Sequence, residues 1–167
     1  MAQQIYIDCG TAETAYQIVL TGVDISVFEA AAGNPLTKGK TGEDLAAAIL
    51  DVAGEGITLL GRMKKDGRFN DGPKGEPAVF VFDYGRVKEI IRYKDGKKND
   101  GAKGEIAHFQ FGSDGRISCA ARYHKGQRLG KLTDKEIAAL QPKSVAVIKK
   151  EQSIKNISKA NPAIKFK

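Results

Sequence analysis

From about residue 57 onward the chain alternates apolar and polar positions with a period of two, in short runs cut by glycine and aspartate. That pattern predicts antiparallel strands joined by tight turns. It places strands over 57–65, 77–83, 86–95, 105–111 and 116–125. Tyr84-Gly85-Arg86 and Ser113-Asp114-Gly115-Arg116 are the short hairpin connections. RFNDGPKGE and KKNDGAKGE are longer loops whose glycines permit positive φ.

On either side the period changes. TGEDLAAAILDVAG, from Thr41, predicts a helix with a threonine cap, two acids in its first turn and Gly54 as its stop. TAETAYQIVL, from Thr11, is a second helix candidate whose later residues read equally well as a strand, and QQIYID before it is a short strand. Thr133 and Glu136 form a capping box that opens the helix TDKEIAAL, which Pro142 ends. SVAVIKKEQSIKNISKA predicts one more helix, with Val147, Ile148, Ile154 and Ile157 along one side and Lys149, Lys150 and Lys155 on the other. The expected fold class is α+β: an antiparallel meander of about five strands, covered on one face by N-terminal helices, with a C-terminal helical basic segment. The regions run 1–56 (acidic, mixed), 57–130 (sheet) and 131–167 (basic tail).

The sheet segment is an internal repeat. Gly67, Asn70, Asp71, Gly72, Gly75, Glu76, Ala78, Phe80 and Phe82 recur 29 residues later. Gly85, Arg86, Arg92, Tyr93 and Gly96 recur 30 later, with Val87 matched by Ile117. Strict alternation puts Ala78, Phe80 and Phe82 with Ala107, Phe109 and Phe111 on one dry face, joined by Val87, Ile91, Tyr93, Ile117, Cys119, Ala121 and Tyr123. The other face is then expected to be basic and wet, with Lys88, Arg92, Lys94, Arg122 and His124 beside His108 and Gln110.

Gly85-Arg86-Val87 with Arg92-Tyr93-Lys94-Asp95-Gly96-Lys97-Lys98, and Asp114-Gly115-Arg116-Ile117 with Arg122-Tyr123-His124-Lys125-Gly126, resemble the MORN repeat in its bacterial variant form, over about residues 60–130. The resemblance implies an array of β-hairpins serving as a scaffold for protein or membrane-lipid contacts. The chain departs from that family in having no tryptophan, about two units and longer loops. The hairpin array is therefore carried over and a lipid ligand is not.

Charge is divided unevenly. Residues 1–60 carry a balance of −6, residues 61–130 of +7 and residues 131–167 of +6, giving the net +7. Such a split suits either an anionic partner or mutual attraction of the two parts within one fold. No apolar run approaches a membrane span and the N-terminus lacks a signal pattern, so a cytoplasmic location is expected. Cys9 and Cys119 then read as free thiols. With two histidines and no CxxC, no metal site is expected.

Two motifs invite a nucleotide reading and lack its context. Gly39-Lys40-Thr41 resembles the end of a phosphate-binding P-loop, but Asn34 stands where the first glycine belongs. Asp8, Gly10 and Thr11 resemble the first phosphate loop of the sugar kinase, actin and chaperone superfamily, whose second half has no room in this chain. No nucleophile or orienting group pairs with His108 or His124, and Asp71/Asp100 and Glu76/Glu105 repeat once per loop, as turn residues do. Neither catalytic residues nor a cofactor are expected. The expected function is binding, with Lys88, Arg92, Lys94, Arg122 and His124 meeting an acidic protein, as in a small inhibitor or antitoxin of a bacterium or mobile element. Lys149, Lys150 and Lys155 form a secondary basic patch. Nucleic-acid binding through either surface is the alternative, and contact with an anionic membrane a third.

Overall fold

Alternating β-branched and aromatic residues between Gly-containing turns build hairpins because each turn reverses the chain within two residues. The computed structural model describes residues 2–11, 13–24, 39–53 and 56–141. In chain order the elements are β1 (Ala2–Cys9), β2 (Tyr16–Asp24), α1 (Gly42–Ala53), β3 (Leu59–Met63), β4 (Val79–Asp83), β5 (Arg86–Ile91), β6 (Tyr93–Lys94), β7 (Lys97–Lys98), β8 (His108–Phe111), β9 (Ile117–His124), β10 (Gln127–Lys131) and α2 (Asp134–Leu140). Among these residues one eight-stranded antiparallel sheet runs β1-β2-β3-β4-β5-β8-β9-β10, and β6 and β7 pair as a separate ribbon. Three turns have both central residues at positive φ, at Tyr84-Gly85, Asp95-Gly96 and Lys125-Gly126, which matches the twist of the strands they join.

The structure corrects two expectations about the first third. Of the two readings of TAETAYQIVL, its later residues Tyr16–Leu20 take the strand in β2 and not the helix, and β1 and β2 extend the sheet beyond five strands. Of the N-terminal covering helices, α1 is the one among the described residues. Leu45 N–H donates to the Thr41 carbonyl at 3.2 Å, which leaves Thr41 at the cap position, and Glu43 and Asp44 occupy the first turn. At the other end the Thr133–Glu136 capping box is present and the helix stops at Leu140. Gly54, Pro142, the segment SVAVIKKEQSIKNISKA and its Lys149, Lys150 and Lys155 lie outside the described residues.

A row of side chains crosses the sheet on one face: Ile5, Leu20, Leu60, Phe80, Ile90, Phe109 and Ala120, each in register with the next. Phe80 and Phe109 are 0 % and 2 % exposed. Burying a side chain of that size stabilises the fold by roughly 2–3 kcal/mol. Ala46, Ile49 and Leu50 of α1 and Ile137 and Leu140 of α2 pack onto this face. Their spacing of three and four residues is one helical stripe. Gln141 closes the C-terminal side by accepting from Ile117 N–H at 2.8 Å and donating to its carbonyl at 2.7 Å.

Strict alternation fails within β5 and β9. Val81 pairs with Glu89 but Phe82 pairs with Val87, so Lys88 is an extra residue; Gln110 pairs with Cys119 but Phe111 with Ile117, so Ser118 is its copy. A one-residue bulge moves every later side chain to the opposite face. Val87 and Ile90 therefore share the Phe80 face, while Ile91 and Tyr93 turn to a smaller cluster on the other side with Ala78, Val79, Val81 and Phe69. Arg92 swings toward the main core. A basic sheet face is thus not formed, because the bulges invert the phase on which it depended.

The bulge makes a specific demand on chain length. Lys88→Ala should shift the urea-denaturation stability by no more than about 0.5 kcal/mol, because the side chain is exposed. Inserting one alanine between Ile90 and Ile91 should cost at least about 3 kcal/mol or abolish cooperative unfolding, since it drives Arg92 and Ile91 onto each other's faces, whereas deleting Lys88 leaves the pairs Val81–Glu89 and Phe82–Val87 in register.

Candidate functional site

Where β5 ends, the chain leaves the main sheet for the β6–β7 ribbon, and its backbone amides need partners that no strand supplies. The preceding loop provides them. Asp71 Oδ1 accepts from Ala78 N–H and Tyr93 N–H, both at 3.0 Å, and Asn70 Oδ1 accepts from Asp95 N–H at 2.9 Å. Asp71 Oδ2 accepts from Arg92 Nη1 at 3.2 Å, and the Gly75 carbonyl accepts from the same nitrogen at 2.8 Å. One repeat later Asp100 Oδ1 holds Ala107 N–H and Tyr123 N–H, Asn99 Oδ1 holds Lys125 N–H, and Asp100 Oδ2 and the Gly104 carbonyl hold Arg122 Nη1. Each Asn-Asp loop thereby staples the next unit. Burial pushes the Asp71 carboxyl up to about 6, against the opposing pull of Arg92 and the two amides.

Arg62 is the first member of this arginine series, 30 residues before Arg92. No Asn-Asp loop precedes it, and the first turn of α1 takes that place: Glu43 accepts from Arg62 Nε at 2.9 Å and Nη2 at 2.6 Å. Pro77 O accepts from Nη1, and the guanidinium lies 5.8 Å from the centre of the Phe80 ring. Tyr16 also donates to Glu43, at 2.5 Å. Burial alone would raise the Glu43 carboxyl, but the hydrogen bonds and charge of Arg62 hold it below the ordinary range. Burial first and Glu43 second raise the Tyr16 hydroxyl and lift the Cys9 thiol to about 11. This is an anchor for the helix, built on a fully buried guanidinium. Cys9 and Cys119 are free, as expected.

The stapled loops leave two hollows between them. A groove of about 750 Å³ separates the loop of residues 70–75 from that of residues 99–105, with Lys64, Lys74, Lys94 and Lys103 around it and Asp71, Arg92 and Asp100 within. Beside it a hollow of about 330 Å³ is lined by Arg68, Lys94, Lys97, His124, Lys125, Asp95 and Asn99. Asp95 is ion-paired with Lys64, and Arg68 with Asp66. Lys94, Lys97 and Lys125 remain exposed on the hollow.

The residues proposed from sequence divide accordingly. Lys94 and His124 come together at this loop edge. Arg92 is 2 % exposed and serves the staple, so it is not a surface contact. Arg122 has a half-exposed side chain committed to Asp100. Lys88 is exposed at its bulge and lines neither hollow. Alternation alone missed Lys64, Lys74, Lys103, Arg68, Lys97 and Lys125, although the repeat itself places lysines at equivalent loop positions 74 and 103.

On the opposite face His108 contacts Glu89 at 2.7 Å, and Gln110 donates to the same carboxylate at 3.3 Å. Burial, with Lys98 nearby, keeps His108 below its ordinary pKa in spite of Glu89. Tyr93 packs on Phe69 with centroids 5.4 Å apart, and Lys98 Nζ lies 5.1 Å over Tyr123. Asp8, Gly10 and Thr11 belong to the β1–β2 hairpin, where Thr11 and Thr14 hydroxyls hydrogen-bond at 2.9 Å. Among the described residues no helix is long and apolar enough to cross a membrane. Comparison with protein-family models, curated proteins and solved structures finds no match for this chain.

Two stability measurements follow from this geometry. Asp71→Ala should cost roughly 3–5 kcal/mol in urea denaturation, because it removes a carboxylate partner of the buried Arg92 together with the acceptor of the Ala78 and Tyr93 amides. Asp100→Ala should cost at least about 1 kcal/mol less, since Arg122 is half exposed and water screens it. Because the folded-state pKa of Glu43 is depressed, its contribution is complete above the ordinary carboxylate pKa and is lost as pH falls below it. Glu43→Gln should therefore flatten the decline of the thermal midpoint below about pH 4.5 that the unmodified chain shows.

Proposed function

We propose that the protein is a non-enzymatic binding module whose basic loop edge docks an acidic protein partner. The observation that carries this reading is the pair of adjacent hollows edged by lysines, with Lys94 common to both, on loops whose backbones are stapled from beneath. Cations mounted on fixed loops lose little freedom when a partner binds, so their charge converts efficiently into affinity. A small protein that covers acidic surface on a larger one suits an inhibitor or antitoxin role, in a bacterium or a mobile element. Nucleic acid is the weaker fit, since the faces of Tyr93 and Tyr123 are taken by Phe69 and Lys98 and are not free to stack bases.

The test is capture of partners from the native host on the full chain, followed by a salt titration of the purified pair. The paired substitutions Lys94→Glu and Lys97→Glu should weaken binding at least about tenfold, while Lys88→Glu leaves it within about twofold. Recovery of nucleic acid alone, with affinity falling steeply and linearly in log salt, would overturn the reading. So would a protein complex indifferent to the paired substitutions.

A further inference from the structure

The repeat ends differently from the way it proceeds. After Arg122 there is no third Asn-Asp loop; the chain turns at Lys125-Gly126 and continues as β10, which pairs with β9 and forms the last strand of the sheet. All five residues of β10 are exposed, and Leu129 is 64 % exposed. Leu132 N–H donates to the Ala120 carbonyl, so by antiparallel alternation the N–H and C=O of Lys131 point away from β9. An edge of this kind is a template for one more strand. It is also continuous with the basic hollow, because His124 and Lys125 line that hollow and Gly126 N–H is bonded to Lys98 O.

We infer that β10 is where an extended acidic segment of the partner adds to the sheet as a further strand. This deepens the binding reading above and rests on it. Arg128 and Lys131 of β10, with Lys125 at its start, place positive charge along the edge, and the segment that best fits alternates acidic side chains with apolar ones that cover Leu129. A second copy of the same strand is disfavoured, because antiparallel self-pairing brings the Arg128 and Lys131 of one copy alongside those of the other. Backbone hydrogen bonds to β10 then supply affinity, while the hollow receives carboxylates from the same segment.

The probe is an octapeptide alternating glutamate and valine, with the lysine–valine peptide as control, read by hydrogen exchange on the full chain. The acidic peptide is expected to slow exchange across residues 127–131 by at least about fivefold, and the lysine peptide to leave it unchanged. Proline is tolerated at an outward-facing edge position, so Lys131→Pro should remove that protection, whereas Lys131→Gln, which removes charge alone, should retain it. If the acidic peptide binds and depends on Lys94 and Lys97 but is indifferent to Lys131→Pro, strand addition is wrong and the loop-edge reading stands. If neither set of substitutions alters binding, both fall. Slow exchange of the outward-facing Lys131 amide in the free chain, whether from its own residues or from pairing of two copies, would also overturn the inference. Should Lys131→Pro fail to fold, the exchange of the unmodified chain with and without the acidic peptide decides the matter.

Discussion

The structure depends on a carboxylate that serves two backbones at once. Asp71 and Asp100 each join an amide of their own unit to an amide of the next and hold the arginine that lies between. Without that carboxylate, the point where β5 leaves its straight course would bury unpaired amides beside a guanidinium that has lost one of its carboxylate partners. Asparagine completes the arrangement, because Asn70 and Asn99 also hold the amide at the tip of the following turn. Duplicating NDG in the sequence duplicates a joint.

The two ends of the array show what the joint replaces. At the start, Glu43 on the first turn of α1 takes the role of the missing aspartate toward Arg62, so the helix is fastened by the same charge pairing that fastens the loops to one another. At the finish, β10 lies where a further loop would have come, and Leu132 and Gln141 reconnect the chain to β9. Between them the loops bring Lys74 and Lys103 to the groove, and the ribbon brings Lys94 to both hollows.

Much of this was legible in the chain. The five expected repeat strands form, with the span 86–95 broken at Arg92 and its end in a separate ribbon, the expected turns fall at Gly85 and Gly115, and both described helices begin at their predicted caps. What escaped was phase. Nothing in RVKEIIRY announces that Lys88 is an extra residue, because a bulge is decided by pairing with Val81 and Phe82 across the hairpin, which is a tertiary property. That single residue carried Arg92 from the expected wet face into the interior. The choice between helix and strand for β2 stayed open for a related reason: Tyr16 to Leu20 suit either period locally, and pairing with β1 and β3 settles it. The third arginine, Arg62, could have been found by extending the repeat backward, where RMKKDGRFNDG parallels RYKDGKKNDG with one residue gained.

The joint also has a direction. Asp71 lies ahead of the Tyr93 amide it serves, and Asp100 ahead of that of Tyr123, so each acceptor leaves the ribosome ahead of its donor. A growing chain therefore meets every new hairpin with its socket already made, and synthesis from the N-terminus proceeds in the same order as assembly.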